Sequence, residues 1–283
     1  MTARRVPGQP TDGLWPYFAL TYAISWLCWG SMIVFGLPGG SVHPAAPPPP
    51  AGNLLLLGLG GSAPTIAGAL MTWRAGGRPG LLRLWRRCTQ FRLAWRPYLV
   101  IFLTPLIVAG ARIAVQALRG GAIGPSPLLA QPVLLIGFSV QIFVFGPLVE
   151  EAGWRGFALD RLLVRWGYFG GSLALALFHA CWHLPLFFVP GTIQQLAGNF
   201  LPEFAVFFLG IAGGAVITTR LYLATGRSVW SAILLHATSN FGSSFVWTLW
   251  QGDLADRLVG AISMLLLAAA LTTFWPRQAA AVE

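Results

Sequence analysis

Eight long apolar runs follow one another along this chain, and their succession constrains its fold more than any other feature. Each run is close to the ~20 residues that a helix needs to cross a bilayer. The runs are continuous rather than alternating, and a helix satisfies its own backbone polar groups in lipid, so helices are favoured over barrel strands. The runs are Leu14–Leu37, Asn53–Trp73, Trp95–Leu118, Leu128–Val149, Tyr168–Val189, Pro202–Leu223, Val229–Trp250 and Leu258–Trp275.

The composition excludes the other broad classes of protein. Of the 283 residues, 56% are apolar and 9% are charged. A soluble domain carries about 25% charged residues to cover its surface, and a disordered chain has few apolar residues. We therefore predict an all-α integral membrane protein in which residues 1–283 form a single polytopic domain, a bundle of about eight transmembrane helices.

The positive charges indicate how the bundle is oriented. The net charge is +10, which could indicate nucleic-acid binding, but the arginines lie mostly between the apolar runs and are better interpreted as topology signals. They are frequent in the N-terminal tail (Arg4, Arg5), after the second, fourth and sixth runs, and in the C-terminal tail (Arg277). Both termini are therefore predicted to be cytoplasmic. The absence of lysine, with abundant glycine and alanine, indicates a high-GC bacterium. The apolar runs then predict a multi-pass protein of its inner membrane. Because the arginines are topology signals, no nucleic-acid partner is expected.

The loop after the second run has an unusual pattern of its own. Basic and apolar side chains alternate there, which predicts a short amphipathic helix on the anionic inner leaflet. A plain topology signal explains the arginines equally well. The apolar members are Leu81, Leu82, Leu84, Trp85 and Phe91, and the basic members are Arg83, Arg86, Arg87 and Arg92.

Ionisable residues within the spans are costly, so each is a candidate for function. Glu150 and Glu151 end the fourth run. Arg155 lies four residues after Glu151, so the two can pair on one helix face. Glu150 lies about 100° away on the helix and is free to face the interior, where it could serve as a general base or acid. The alternative is a helix end with solvated charges. Arg112 lies within the third run, away from Arg96 at its start, and Glu203 opens the sixth on its outer side.

Two pairs of polar residues, each containing histidine, lie at the i,i+4 spacing of one helix face. His179 and His183 lie at i,i+4 in the fifth run, a spacing that suits two ligands of one zinc ion, although the HExxH motif is absent. His236 and Asn240 have the same spacing in the seventh run. The histidine could donate a proton or bind a metal, and the amide could donate to an oxyanion. The alternative is hydrogen bonding between packed helices. Together with Glu150, these groups form a set suited to water attack on a carbonyl.

Three motifs resemble those of a known family. Glu150–Arg155 is similar to an EExxxR motif, His183 to the histidine of an FxxxH motif, and His236–Asn240 to an HxxxN motif, preceded by a typical Thr225–Trp230 segment. In this order they resemble the CPBP family, the CAAX-protease and bacteriocin-processing (Abi) intramembrane endopeptidases. The resemblance covers Glu150–Asn240. Where the second motif has phenylalanine, this chain has His179, which we interpret as a packing residue rather than an added imidazole.

The resemblance implies an all-helical intramembrane protease whose catalytic helices lie within residues 128–250. It implies that Glu150, helped by His183, activates water and that His236 and Asn240 stabilise the oxyanion. Glu151, Arg155 and His179 would support these residues. Zinc could be held by Glu150, His183 and His236, and a metal-free glutamate mechanism fits equally well. The expected partners are membrane lipid and a membrane-associated, prenylated or bacteriocin-like substrate.

The sequence is also compatible with two other functions. A non-catalytic immunity or scaffold protein of the same fold would use the histidines and the asparagine only for packing. A proton-coupled transporter would use the buried glutamate and histidines as a proton relay. The sequence does not contain the paired halves with broken spans that are typical of many transporters.

Overall fold

The computed structural model describes residues 12–40, 49–250 and 252–275, and within these ranges it contains helices and no strand. The predicted all-α class is therefore confirmed. The α-helices are α1 (Leu14–Val34), α2 (Ala51–Cys88), α3 (Trp95–Leu118), α4 (Pro127–Ala130), α5 (Pro132–Val144), α6 (Pro147–Gly153), α7 (Leu159–Trp182), α8 (Ile193–Leu196), α9 (Phe200–Ala224), α10 (Val229–Leu249) and α11 (Leu254–Phe274). A π-helical turn, Trp154–Ala158, joins α6 to α7, and a 3₁₀ turn, Leu184–Phe187, follows α7.

Six helical stretches of the described chain are long and apolar enough to cross a membrane, judged by length and composition alone. They are Leu14–Val34, Ala51–Cys88, Trp95–Leu118, Pro132–Trp182, Phe200–Ala224 and Leu254–Phe274. Helix α10 has 21 residues, as α1 does, but it carries His236, Asn240 and several hydroxyl side chains, so its hydropathy is lower.

The predicted count of about eight crossings differs from these six stretches for two reasons. The seventh predicted run, which contains α10, is not among the six. The fourth and fifth predicted runs lie largely in the single stretch Pro132–Trp182. Its backbone leaves helical geometry at Gly146 (φ −138°, ψ −100°) and at Gly167 (φ 68°). The number of crossings and the side of the termini stay predictions. Arg4, Arg5, Arg277 and the start of the Pro47–Pro50 run lie outside the described residues.

Helix α2 packs closely against α1 and α6, and this contact positions the Glu-Glu pair. A Cβ added to Gly68 of α2 would lie 2.9 Å from the Cα of Gly153 in α6, and one added to Gly153 would overlap the backbone carbonyl of Pro64. Small residues let membrane helices approach to this distance. The apolar core beside this contact includes the fully buried side chains Tyr17, Trp154 and Trp182.

Ion pairs join helix ends at the side of the molecule where α11 begins. Arg112 forms a buried two-pronged pair with Asp256, with distances of 3.0 and 2.5 Å. Arg112 is therefore a structural residue that connects α3 to α11. Arg257 forms a similar pair with Glu203 at the start of α9.

A third pair at this side is exposed. Arg119 contacts Asp253 at 2.7 Å, and the side chains are 46% and 55% exposed. Asp253 also caps α11 by accepting a hydrogen bond from the backbone amide of Asp256 at 2.8 Å. The Arg119 hydrogen bond, followed by that of the amide, lowers the pKa of the Asp253 carboxyl to about 2.

Candidate active site

The two adjacent glutamates lie on α6, a helix of seven residues between a backbone break and the π-helical turn. Pro147 occupies the start of α6, where its missing N–H costs no hydrogen bond. The π-helical turn begins one residue after the helix ends, and such turns occur frequently at functional sites. Every residue from Glu150 to Leu159 is buried. The sequence alternative of solvated charges at a helix end is therefore wrong for both glutamates.

Glu151 is the centre of a charged hydrogen-bond group. Its side chain is fully buried. Its Oε1 atom accepts hydrogen bonds from Arg155 Nη1 at 2.6 Å and from His236 Nδ1 at 2.8 Å. Arg155 is the partner that the i,i+4 spacing predicts, whereas His236 is contributed by α10. A buried carboxylate needs partners of this kind, because an unpaired charge in an apolar interior is costly.

Glu150 has an imidazole partner from a different helix. Its Oε2 atom lies 3.1 Å from His179 Nε2 on α7, and both side chains are buried. The His179 ring lies against the indoles of Trp154 and Trp182, with ring centroids 5.1 and 5.8 Å apart. Each glutamate therefore contacts one histidine, and the two histidine rings lie edge to face with centroids 5.8 Å apart.

His183, which the motif assignment favoured, is oriented differently. Its Nδ1 atom lies 2.9 Å from the backbone carbonyl oxygen of His179, one turn earlier in the chain. Its ring packs edge to face against Trp182 and Phe207. The structure thus places His179, which we interpreted as a packing residue, at Glu150, whereas the Nδ1 atom of His183 faces the backbone carbonyl of His179.

Asn240 and Glu150 border the same small space at the break between α5 and α6. A Cβ added to Gly146 would lie 3.6 Å from Asn240 Nδ2 and 3.7 Å from Glu150 Oε1. No hydrogen bond joins Asn240 to another described side chain. An amide donor and a carboxylate oxygen therefore face a common region, and the glycine between them contributes no side chain to fill it.

Sequence reasoning missed two features of this site. Leu175 lies four residues before His179, so the spacing of the second motif also fits His179, with a buried leucine in place of phenylalanine. A search that allowed any large apolar residue at that position would have found it. Gly146 was also missed, although the Gly-Pro pair just before α6 is a recognisable helix break.

The described residues do not gather a metal-binding set. Within them, no group of three His, Cys, Asp or Glu side chains could hold a metal ion. Glu150 contacts His179, His183 Nδ1 faces a backbone carbonyl, and His236 Nδ1 contacts Glu151. Such contacts at Nδ1 leave the Nε2 atoms of His183 and His236 open, so they do not decide the question. A catalytic zinc site needs three converging ligands, and because the described residues present no such group, no step below uses a metal.

Comparison with known proteins concerns the same part of the chain. Residues 131–242 match the sequence model of a family described as type II CAAX prenyl endopeptidase Rce1-like. The CAAX prenyl protease 2 of Methanococcus maripaludis is 34% identical over 98 residues, which is 34% of this chain and 36% of the relative. The match thus spans about a third of the relative's length. The range 131–242 contains every predicted site residue.

Proposed function

Residues 131–242 match the sequence model of the Rce1-like type II CAAX prenyl endopeptidases, and from this premise we propose that the chain is an intramembrane endopeptidase. It hydrolyses a peptide bond of a membrane-associated substrate. The CPBP resemblance drawn from the motifs is confirmed by this match and by the protease relative. The observation that carries the proposed chemistry is the buried pair of adjacent glutamates, each hydrogen-bonded to its own histidine on another helix.

Glu150 is the general base of the proposed reaction. His179 contacts its Oε2, which leaves Oε1 directed to the region beside Gly146 and Asn240. Oε1 takes a proton from a water molecule as the water oxygen attacks the scissile carbonyl carbon. The C–N bond then breaks, and Glu150 returns the proton to the leaving amine. Proton transfer by a positioned side chain contributes about 10²–10⁴-fold to such a rate.

His236 and Asn240 stabilise the negative oxygen that forms during this attack. As an oxyanion donor, His236 needs a proton on both ring nitrogens, and the Glu151 carboxylate is the acceptor for its Nδ1–H. The Nδ1–H of His236 donates to Glu151, and its Nε2–H is free to donate to the oxyanion. The Asn240 amide is the second donor. Removing one such donor typically lowers kcat by about 10²–10³-fold.

The roles of the other site residues follow from their contacts. His179 orients Glu150, a role that the motif assignment gave to His183. Glu151 keeps His236 in the required tautomer and orientation, and Arg155 balances the charge of Glu151. His183 lines the site one turn beyond His179. The substrate class is a prenylated or otherwise lipid-associated peptide, for which the name of the Methanococcus relative is the support.

The remaining finer assignments concern topology. We propose eight crossings with both termini cytoplasmic, in the inner membrane of a bacterium, because the arginines alternate between rich and poor segments. Reporter fusions at the loop after α3 and at the C-terminus test this arrangement. A reporter that is active on the periplasmic side at the C-terminus would contradict it.

Cleavage of a farnesylated CAAX peptide by the purified protein in lipid nanodiscs tests the function. Glu150→Gln is expected to remove activity by at least about 100-fold while the melting temperature changes little. The matched control is Glu203→Gln, since Glu203 is as buried as Glu150, at 5% exposure each, but lies at the ion-paired end of α9. It is expected to retain the cleavage rate per folded molecule.

The same experiment separates the alternative functions. Equal cleavage by wild type and Glu150→Gln would overturn Glu150 as the base. A scaffold protein would cleave neither the farnesylated peptide nor a library of membrane peptides. A transporter would in addition lose pH-dependent uptake in Glu150→Gln. The unlipidated peptide serves as the comparison for substrate class.

A further inference from the structure

A cavity of about 190 Å³ lies where α2 bends, next to the π-helical turn of the candidate site. Three arginines line it, Arg83, Arg87 and Arg161, together with the glycines Gly76, Gly80 and Gly156. Its volume is several times the ~30 Å³ share of one water molecule. The mechanism proposed above does not use these residues.

The shape of the cavity depends on a break in α2. Gly77 has φ 54° and ψ −152°, a left-handed region that favours glycine, so the helix turns there and continues as residues 78–88. Residues 78–88 fold back toward the bundle. Leu84 packs on Gly156 of the π-helical turn, where an added Cβ would lie 2.5 Å from its Cδ1 atom. One wall of the cavity is therefore α2 and the other is the π-helical turn.

The three guanidinium groups differ in how many of their nitrogen atoms already donate hydrogen bonds. All three nitrogens of Arg87 do so: they donate to the carbonyls of Arg155, Gly156 and Arg227, and Nη2 also contacts Asp160 and the Tyr222 hydroxyl.

Two of the three Arg161 nitrogens donate hydrogen bonds. Its Nε donates to the carbonyl of Asp12 and its Nη1 to that of Phe157, which leaves Nη2 without a partner among the described residues. Arg83 makes no hydrogen bond or ion pair with the described part of the chain.

The local charge is positive. Asp160 is shared between Arg87, Arg227 and the Tyr222 hydroxyl, and the charge of Asp12 acts on Arg161, so the arginines outnumber these two carboxylates. The Arg83 Nη2 atom reaches across the bend to within 3.2 Å of a Cβ position on Gly76. The unpaired fork of Arg83 and the Nη2 atom of Arg161, beside a cavity of net positive charge, match the geometry of a phosphate group.

We propose that this cavity binds a phosphate group, supplied by the headgroup of an anionic phospholipid. The segment 78–88 that forms one wall also presents Leu82 and Trp85 outward, with exposures of 46% and 65%. Tryptophan beside arginine is the composition of a helix at the headgroup level of a bilayer. The amphipathic segment predicted from the sequence thus contacts a lipid headgroup, and Arg83 is the unpaired donor to its phosphate.

Native mass spectrometry of the full-length protein in neutral detergent tests the proposal. The probes are phosphatidylglycerol, diacylglycerol with the same acyl chains, and inorganic phosphate. The variants are Arg83→Gln and the matched control Arg86→Gln, since both arginines are exposed and unpaired on the same segment and only Arg83 lines the cavity. Arg83→Lys keeps the charge but loses the forked donors.

The expected result is phosphatidylglycerol binding by wild type and Arg86→Gln, about tenfold weaker binding by Arg83→Gln, and an intermediate value for Arg83→Lys. If inorganic phosphate binds through Arg83 but phosphatidylglycerol binds no better than diacylglycerol, the cavity is a phosphate site whose ligand is free phosphate rather than a lipid headgroup. Equal losses in Arg83→Gln and Arg86→Gln, or no preference for either phosphate probe over diacylglycerol, would overturn the proposal. The readout involves no cleavage, so it is independent of the protease assay.

Discussion

His236 Nδ1 lies 2.8 Å from Glu151 Oε1, the same oxygen atom that Arg155 contacts at 2.6 Å. The two residues are 85 positions apart in the chain, and this contact connects α10 to α6. Because an ionised carboxylate only accepts hydrogen bonds, the histidine must donate from Nδ1. Its other nitrogen, Nε2, is thereby directed away from Glu151, which makes Glu151 a positioning residue for His236.

Glu151→Gln is expected to lower kcat by about 10–100-fold with a smaller change in KM, because His236 loses the carboxylate that accepts its Nδ1–H and holds the ring in place. A double-mutant cycle with His236→Ala distinguishes positioning from general damage. If Glu151 acts through His236, the double variant has the activity of His236→Ala alone. Additive losses would show that Glu151 acts by another route.

His179→Gln is expected to reduce cleavage by at least about tenfold, because His179 contacts Glu150 and a hydrogen bond to a charged group contributes about 1.5–3 kcal/mol. His183→Gln is the matched control, one turn later on the same face, and should reduce cleavage less. The opposite order of the two variants would restore His183 to the role that the motif assignment gave it.

Chelation is expected to leave cleavage unchanged. Among the described residues no group of three His, Cys, Asp or Glu side chains could hold a metal ion, and Glu150 can act as the base without one. The measurement is the cleavage rate after incubation with 1,10-phenanthroline, together with the zinc content of the purified protein. Stoichiometric zinc that a chelator removes together with activity would contradict the metal-free mechanism.

Arg155→Met is expected to destabilise the protein by about 3–5 kcal/mol, because it removes the guanidinium partner of the fully buried Glu151 carboxylate. Arg119→Met removes the partner of Asp253 from an exposed pair and should cost no more than about 1 kcal/mol. The free energy of unfolding in mixed micelles measures both. Equal losses would mean that burial of the Glu151 pair has no energetic consequence.

Gly153→Ala is expected to destabilise the bundle by about 1–3 kcal/mol, since the added methyl group would overlap the backbone of Pro64 in α2. Gly110→Ala in α3 is the contrasting variant. Nothing lies within 4 Å of its added Cβ, and alanine is favoured over glycine inside a helix by about 0.5–1 kcal/mol. Melting temperatures should therefore shift in opposite directions. A shift in the same direction would contradict the close α2–α6 contact.

Rules that relate short stretches of sequence to structure predicted the helices and one side-chain pair of this protein. Continuous apolar runs predict helices because a lipid-facing backbone must satisfy its own polar groups, and the described chain is all-helical. The Glu151–Arg155 pair also follows from the sequence, because spacing within one helix determines which side chains are neighbours. Breaks within helical stretches were less predictable. Gly146 and Gly167 interrupt Pro132–Trp182 without ending its apolar character, so the predicted runs and the observed stretches differ.

The pairing of the glutamates with the histidines was decided only by the tertiary structure. The sequence itself determined the class of fold, the order of the three motifs and the residues on each helix face. It left open whether His179 or His183 meets Glu150, and which glutamate receives His236. Periodicity defines a face within one helix, but the rotation and approach of one helix relative to another depend on packing across the bundle. Here the glycine contact of α2 with α6, together with the indoles around His179, selects the partners.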